Sequence, residues 1–273
     1  MNVVTLNICG TKKRRKRVWV NELCFRHNIH FLGLQESKMS RFDLLRIKSL
    51  WGNYRFDFAC SLSLGRSGGI ISIWDTSFFK RSRIWCHQHY VIVKGTWTHF
   101  EGDFFMINVY APQEAVAKAT LWNSLLDFIR NHSGRFMLFG DFNVVRCEEE
   151  RLGSEFSQNE ANAFNSFIDE ANLVDLPLGG RSFTYMNFLG TKLSKLDRFL
   201  LSPDCADSLI DVHATVLDRG CSDHSPVLLH LQNLDYGPTP FKFFRSLLLR
   251  NGADDLIKRE YSADPNVSFF LLN

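Results

Sequence analysis

"FMLFGDFNVV", residues 136–145, sets an unbroken apolar run against a polar knot. Phe136, Met137, Leu138 and Phe139 do not alternate with polar residues, so they read as a strand buried on both faces. Gly140, Asp141, Phe142 and Asn143 follow with no turn-forming cluster between. Such a strand delivers a carboxylate and a carboxamide, two residues apart, at its C-terminal end.

The pattern recurs outward along the chain. "VVTLNICG" ends its strand at Asn7, "HFLGLQES" at Gln35 and Glu36, and "FFMINVYAP" at Tyr110 before Pro112. "SKLDRFLLS" sets Asp197 among Leu196, Phe199 and Leu200, and "GCSDHSPVLL" places Asp223 and His224 just before a strand. Any one of these fits an ordinary cap or turn, because Asp and Asn bond nearby backbone readily. Six together are what a catalytic pocket on one rim of a sheet sandwich requires.

Strands are expected at 3–8, 31–34, 69–74, 91–97, 104–110, 136–139, 196–201 and 226–231. The runs 91–97 and 104–110 flank "THFEGD", whose Gly-Asp supplies a turn, which predicts an antiparallel hairpin. Helical apolar faces are formed by Trp19, Val20, Leu23 and Cys24, then by Leu121, Trp122, Leu125, Leu126 and Ile129. Phe164, Phe167, Ile168 and Ala171 follow the i, i+3, i+4, i+7 spacing of a third helix. Hairpins mixed with helices predict an α/β protein with two packed sheets and helices outside. "LQNLDYGPTPF", residues 231–241, is punctuated by Gly237, Pro238 and Pro240 and marks a boundary. One domain over 1–232 is expected, with 233–273 a connector or truncated tail.

The 273 residues are 45% hydrophobic and 22% charged, which excludes a disordered chain. A formal net charge of +3 permits a polyanionic partner without demanding one. Seven cysteines, an odd count without C-x-x-C, suit free and mostly buried thiols in a reducing compartment. No apolar run approaches about 18 residues, so no membrane span is expected. "KKRRKR", residues 12–17, reads first as the solvated start of a helix. Phosphate contact or a nuclear-import signal is the sharper alternative. "SLSLGRSGG", residues 61–69, reads as a mobile loop in which Arg66 is a surface arginine.

"LNICG", "LQESK", "NVYAP", "GDFNVV", "LDRFLLS" and "SDHSPVLL", in this order, resemble the endonuclease/exonuclease/phosphatase superfamily. The resemblance implies the DNase I-like fold, a four-layer α/β sandwich of two mixed β-sheets with flanking helices. "GRSFTYMN" and "DYGPTPFKFF" narrow it to the apurinic-type endonuclease domain of LINE (non-LTR) retrotransposons, plant ones especially. It covers residues 1 to about 250 in colinear order. Cys9 departs from it, standing where some relatives have an acid.

The resemblance also implies roles. Glu36 would bind a divalent cation, Mg²⁺ with Mn²⁺ as a substitute, with Asn7 and Asp223 close by or acting through water. Asp141 would orient or deprotonate the attacking water, with Asn143 fixing it. His224, held by Asp197, and Tyr110 would contact the scissile phosphate. The partner would be DNA, nicked to leave a 3′-hydroxyl, and the isolated domain would be monomeric, intracellular and nuclear. Two other readings stay open: a non-catalytic retroelement fragment, and a phosphoesterase of the same superfamily acting on a small phosphorylated substrate.

Overall fold

The computed structural model describes residues 1–231 except Arg66 and Ile210. The expected boundary and tail therefore lie outside the described residues, as does Arg66. In chain order the strands are β1 (Asn2–Asn7), β2 (Phe31–Gln35), β3 (Phe56–Ser61), β4 (Ile70–Asp75), β5 (Phe79–Cys86) and β6 (Tyr90–Trp97). Next come β7 (Phe104–Tyr110), β8 (Arg135–Asp141), β9 (Arg151–Leu152), β10 (Val174–Asp175), β11 (Leu178–Gly179) and β12 (Tyr185–Met186). The last are β13 (Leu193–Ser194), β14 (Asp197–Leu201), β15 (Val212–Val216) and β16 (Val227–Leu231). The helices are α1 (Arg14–Arg26), α2 (Leu44–Trp51), α3 (Ala115–Arg130), α4 (Gln158–Glu170) and α5 (Pro203–Ser208).

Two mixed sheets carry the fold. One runs β11-β15-β16-β1-β2-β4-β3 and the other β10-β14-β8-β7-β6-β5, while β12, β13 and β9 form a small third sheet. β1 pairs parallel with β2, and β7 parallel with β8, among otherwise mostly antiparallel neighbours. The expected hairpin is present as β6 and β7.

The non-alternating apolar runs follow from the layering. Met137 and Phe139 of β8 enter a core with Phe31, Trp74, Phe79, Phe104 and Phe199, between the sheets. Phe136 and Leu138 face the other way, into a cluster with Leu121, Trp122, Phe164 and Phe167 of α3 and α4. β1 and β2 do the same on the far side, where Val4, Leu6, Leu32 and Leu34 pack on Val20, Leu23, Ile47 and Leu50 of α1 and α2. The result is four layers: helices, sheet, sheet, helices. Each large apolar side chain buried in them contributes about 1.5–3 kcal/mol.

Two expectations are corrected. All seven cysteines are free, but only Cys24 and Cys205 are buried; Cys86 and Cys147 are exposed. Helix α2 lies outside the expected elements, as do α5, β3, β5 and β15, although the ends of α2 carry signals. Asp43 accepts from Arg46 N at the N-cap, and Gly52 closes the C-terminus with φ +90°. Eight residues with three buried apolar positions make too short a period to stand out.

Candidate active site

β1, β2, β7 and β8 end, and β14 and β16 begin, along one rim of the two sheets. Register fixes the juxtaposition: Asn7 lies opposite Gln35, Tyr110 opposite Asp141, and Asp141 opposite Asp197. Gly140 makes the last step possible. Its φ is +141°, and a Cβ there would stand 2.0 Å from Val109 O, so only glycine fits before Asp141.

Asp141 is fully buried and held by two donors. Asn7 Nδ2 donates to Oδ2 at 2.8 Å, and Asn143 N donates to Oδ1 at 2.9 Å. Asn143 adopts φ +50° and donates through Nδ2 to Ala111 O at 2.7 Å. Its side chain is thereby anchored across to the end of β7. His224 sits on the other side of Asp141. Its Nδ1 bonds Asp197 Oδ2 at 2.8 Å, and its Nε2 lies 3.8 Å from Asp141 Oδ2. One ligand atom each of Asp141, Asp197 and His224 falls within a 4.8 Å cluster. Two carboxylates flanking a histidine, one of them hydrogen-bonded to its ring, read more readily as a proton-handling set than as a cation cage.

The electrostatics follow from burial. Desolvation opposes a charge on His224, but Asp197 and then Asp141 outweigh it and raise its pKa to about 9. The ring is therefore an imidazolium near neutral pH. Burial pushes Asp141 up to about 6, against the pull of His224 and with the help of Asp197. Tyr110 is half-buried, and burial together with Glu36, Asp141 and Asp223 pushes its phenol up. It stays a protonated donor that faces the acids.

Residues without a predicted role hold these groups. Thr184, in "GRSFTYMN", accepts from Leu196 N and Asp197 N, each at 3.0 Å, and so sets the start of β14. Ser222 Oγ donates to Asn7 O at 2.6 Å and fastens the His224 loop to β1. Tyr185 lies against the His224 ring, with centroids 5.1 Å apart. A Thr or Ser hydroxyl bonding remote backbone leaves no sequence pattern, so these contacts were not legible although Thr184 and Tyr185 stand in "GRSFTYMN" and Ser222 in "SDHSPVLL".

Glu36 and Asp223 border the set. Glu36 has φ +52°, and its Oε1 accepts from Lys38 Nζ at 2.9 Å. Asp223 Oδ1 accepts from Ser222 Oγ at 3.2 Å. The structure turns Asn7 toward Asp141, while Asn7 Oδ1 accepts from Cys9 N at 3.0 Å. Carboxylate and carboxamide oxygens are hard donors of the kind Mg²⁺ takes. The ammonium against Glu36 is itself a cation standing at that carboxylate. By the chemistry of their oxygens Glu36 and Asp223 fit a hard divalent ion.

Two grooves adjoin the rim. One, of about 500 Å³, is lined by Lys13, Arg15, Lys16 and Arg219 together with Tyr185 and Asp223. The other, of about 420 Å³, is lined by Glu36, His89, Tyr110 and Gly69 among others.

Residues 4–224 match the family described as "Endonuclease/Exonuclease/phosphatase family". No curated protein matches the chain by sequence. Solved structures with the same fold include the AP endonuclease LMAP from Leishmania major (TM-score 0.68, 14% identity, 84% of this chain and 86% of that one). The 3′-5′ exonuclease NExo from Neisseria meningitidis is similar (TM-score 0.66, 18% identity, 85% and 99%). So is the endonuclease domain of TRAS1, a telomere-specific non-LTR retrotransposon (TM-score 0.61, 13% identity, 85% and 99%).

Proposed function

The chain belongs to the endonuclease/exonuclease/phosphatase family, and from that premise we propose that it is a divalent-metal-dependent endonuclease that nicks DNA to leave a 3′-hydroxyl. One observation carries the reading. A buried carboxylate, Asp141, is aligned by Asn7 and Asn143 beside a charged His224–Asp197 pair, next to a groove lined by four cations. The cations suit a phosphate backbone, and the buried set suits attack by water on one of its phosphates.

In this mechanism Asp141 accepts the proton of the attacking water, helped by a pKa raised toward neutrality. His224, as an imidazolium kept in place by Asp197, donates to a phosphate oxygen and balances charge that grows there. Tyr110 donates to another. Glu36, with Asp223, would hold the cation, which would supply positive charge against the negative charge that grows on the phosphate. Mg²⁺ is the ion we propose, with Mn²⁺ as a substitute.

Kinship with LINE endonuclease domains is part of the proposal, supported by the colinear motifs and by "DYGPTPFKFF". A DNA substrate implies a nuclear place of action, and nothing in the reading needs a second subunit. Among the described residues no helix is long and apolar enough to cross a membrane. The test is incubation with supercoiled plasmid and Mg²⁺, with an EDTA control. Relaxed circles that DNA ligase reseals support a 3′-hydroxyl beside a 5′-phosphate. Plasmid left supercoiled by folded protein would overturn the reading.

A further inference from the structure

One cation reaches the site without a part in the hydrolysis just described. Lys38 lies two residues beyond Glu36, and both have left-handed backbone, at φ +53° and +52°. The chain therefore doubles back and brings Lys38 Nζ to 2.9 Å from Glu36 Oε1 and 3.6 Å from Cys9 Sγ. Two such non-glycine residues in one short loop cost energy and persist only where the surroundings enforce them. Here they do. Lys38 N donates to Gly68 O at 3.0 Å, Ser37 N to Gly69 O at 2.8 Å, and Gly10 N to Glu36 O at 2.7 Å. Gly68 and Gly69 thus clamp the very turn that aims the ammonium at the carboxylate.

The stem is not clamped in the same way. The Lys38 side chain is 38% exposed, against 17% for Glu36, and a four-carbon stem reorients at little cost. A divalent ion on Glu36 would meet the ammonium at close range, and like charges there repel.

We propose that Lys38 gates the cation site: its ammonium holds Glu36 in the metal-free protein, gives way when a divalent ion binds, and is drawn off by a substrate phosphate. This rests on the reading of Glu36 as the metal carboxylate. Lys38 acts through Glu36 and is a positioning residue. Because phosphate and divalent ion then each relieve the same ion pair, they bind cooperatively, and the coupling is reciprocal.

The experiment is a titration of metal-free protein with Mn²⁺, following loss of the free-ion EPR signal, without DNA. Glu36→Gln identifies the site by removing it from the isotherm. Lys38→Gln is expected to bind Mn²⁺ about two- to fivefold more tightly than wild type, and Lys38→Arg, which keeps the charge, to bind as wild type does. Equal or weaker binding by folded Lys38→Gln would overturn the gate. A second arm compares this affinity with the Mn²⁺ concentration that half-saturates plasmid nicking. Wild type should need less Mn²⁺ with DNA present, and Lys38→Gln should lose most of that advantage; an undiminished advantage would also overturn the proposal. Should wild type bind Mn²⁺ but leave plasmid intact, the nuclease reading fails, while the first arm still decides the role of Lys38.

Discussion

At the residue scale, the pairing of His224 with Asp197 is the sharpest point to test. Among the described residues Asp197 Oδ1 is buried without a partner, and the carboxylate's side-chain bond is to the ring. If the two act as a unit, Asp197→Asn lowers single-turnover nicking and His224→Ala lowers it at least as far. The double variant should then be little worse than His224→Ala alone, since groups that act together are strongly non-additive. Losses that multiply would show that Asp197 acts independently. A second residue reports on the fold. His30 Nδ1 accepts from Asn2 N at 2.9 Å. Burial, then the N-terminal charge, pushes the His30 pKa down from 6.5 to about 4. A depressed pKa means that the unfolded chain binds the proton first. The contribution of His30 is therefore whole above pH 6.5 and is lost as pH falls toward 4, at no more than about 1.4 kcal/mol per pH unit. His30→Gln keeps an acceptor and removes the titration. Urea midpoints at pH 7 and pH 5 should differ less for this variant than for wild type; an equal difference would exclude His30.

At the element scale, α1 shows how a charge run divides its work. Lys16 Nζ donates to Ile8 O at 2.6 Å and Cys9 O at 2.8 Å, and Arg17 Nη1 to Thr11 O at 2.9 Å. Those two fasten the β1–α1 loop, whereas residues 12–15 are exposed. Lys13 and Arg15 line the basic groove and Lys12 does not. Replacing Lys13 and Arg15 by Gln should reduce the salt slope of DNA affinity by about two, while Lys12→Gln leaves it unchanged. A slope left unchanged by replacing Lys13 and Arg15 would return the whole run to a solvated face. β14 poses a different problem, because Arg198 beside Asp197 is wholly buried. It bonds Asp175 Oδ2 at 2.7 Å and Glu150, on the face away from the site. Burial disfavours a charge on Glu150, yet Arg198 keeps its pKa below the usual range. Arg198→Met should cost about 3–5 kcal/mol in denaturant unfolding. A loss below about 1 kcal/mol would mean that Arg146 and Lys195, which also reach these acids, suffice.

At the scale of the whole molecule, the site exists only where the two sheets meet, so their spacing matters. Gly33 of β2 is a point of close approach: a Cβ there would stand 2.4 Å from Phe139 Cε2 and 3.1 Å from Asn108 Nδ2. Asn108 in turn accepts from Gln35 Nε2 at 2.6 Å, a polar tie between the sheets just behind Glu36. Gly33→Ala should destabilise the fold by about 1–3 kcal/mol through overpacking and should also raise the half-saturating metal concentration, because Glu36 follows the same strand. Unchanged stability would show that Phe139 turns aside freely.

The strands β1, β2, β4, β6, β7, β8, β14 and β16, the hairpin and the three longer helices were legible in the chain, because burial on both faces leaves unbroken apolar runs and packing on one face leaves a helical period. The polar residues at the strand ends were legible too, since an acid or amide after a buried run has few other reasons to be there. α2, α5, β3, β5, β15 and the two-residue strands were not, for each buries too few residues to leave a period. Nor was Lys38 at Glu36, Thr184 under Asp197, Ser222 on Asn7, or the split of residues 12–17 between loop fastening and an open groove. Those are contacts between segments far apart in the chain, or choices of rotamer and left-handed backbone. Local sequence sets which groups arrive at the rim; only the packing of one sheet on the other sets which of them touch.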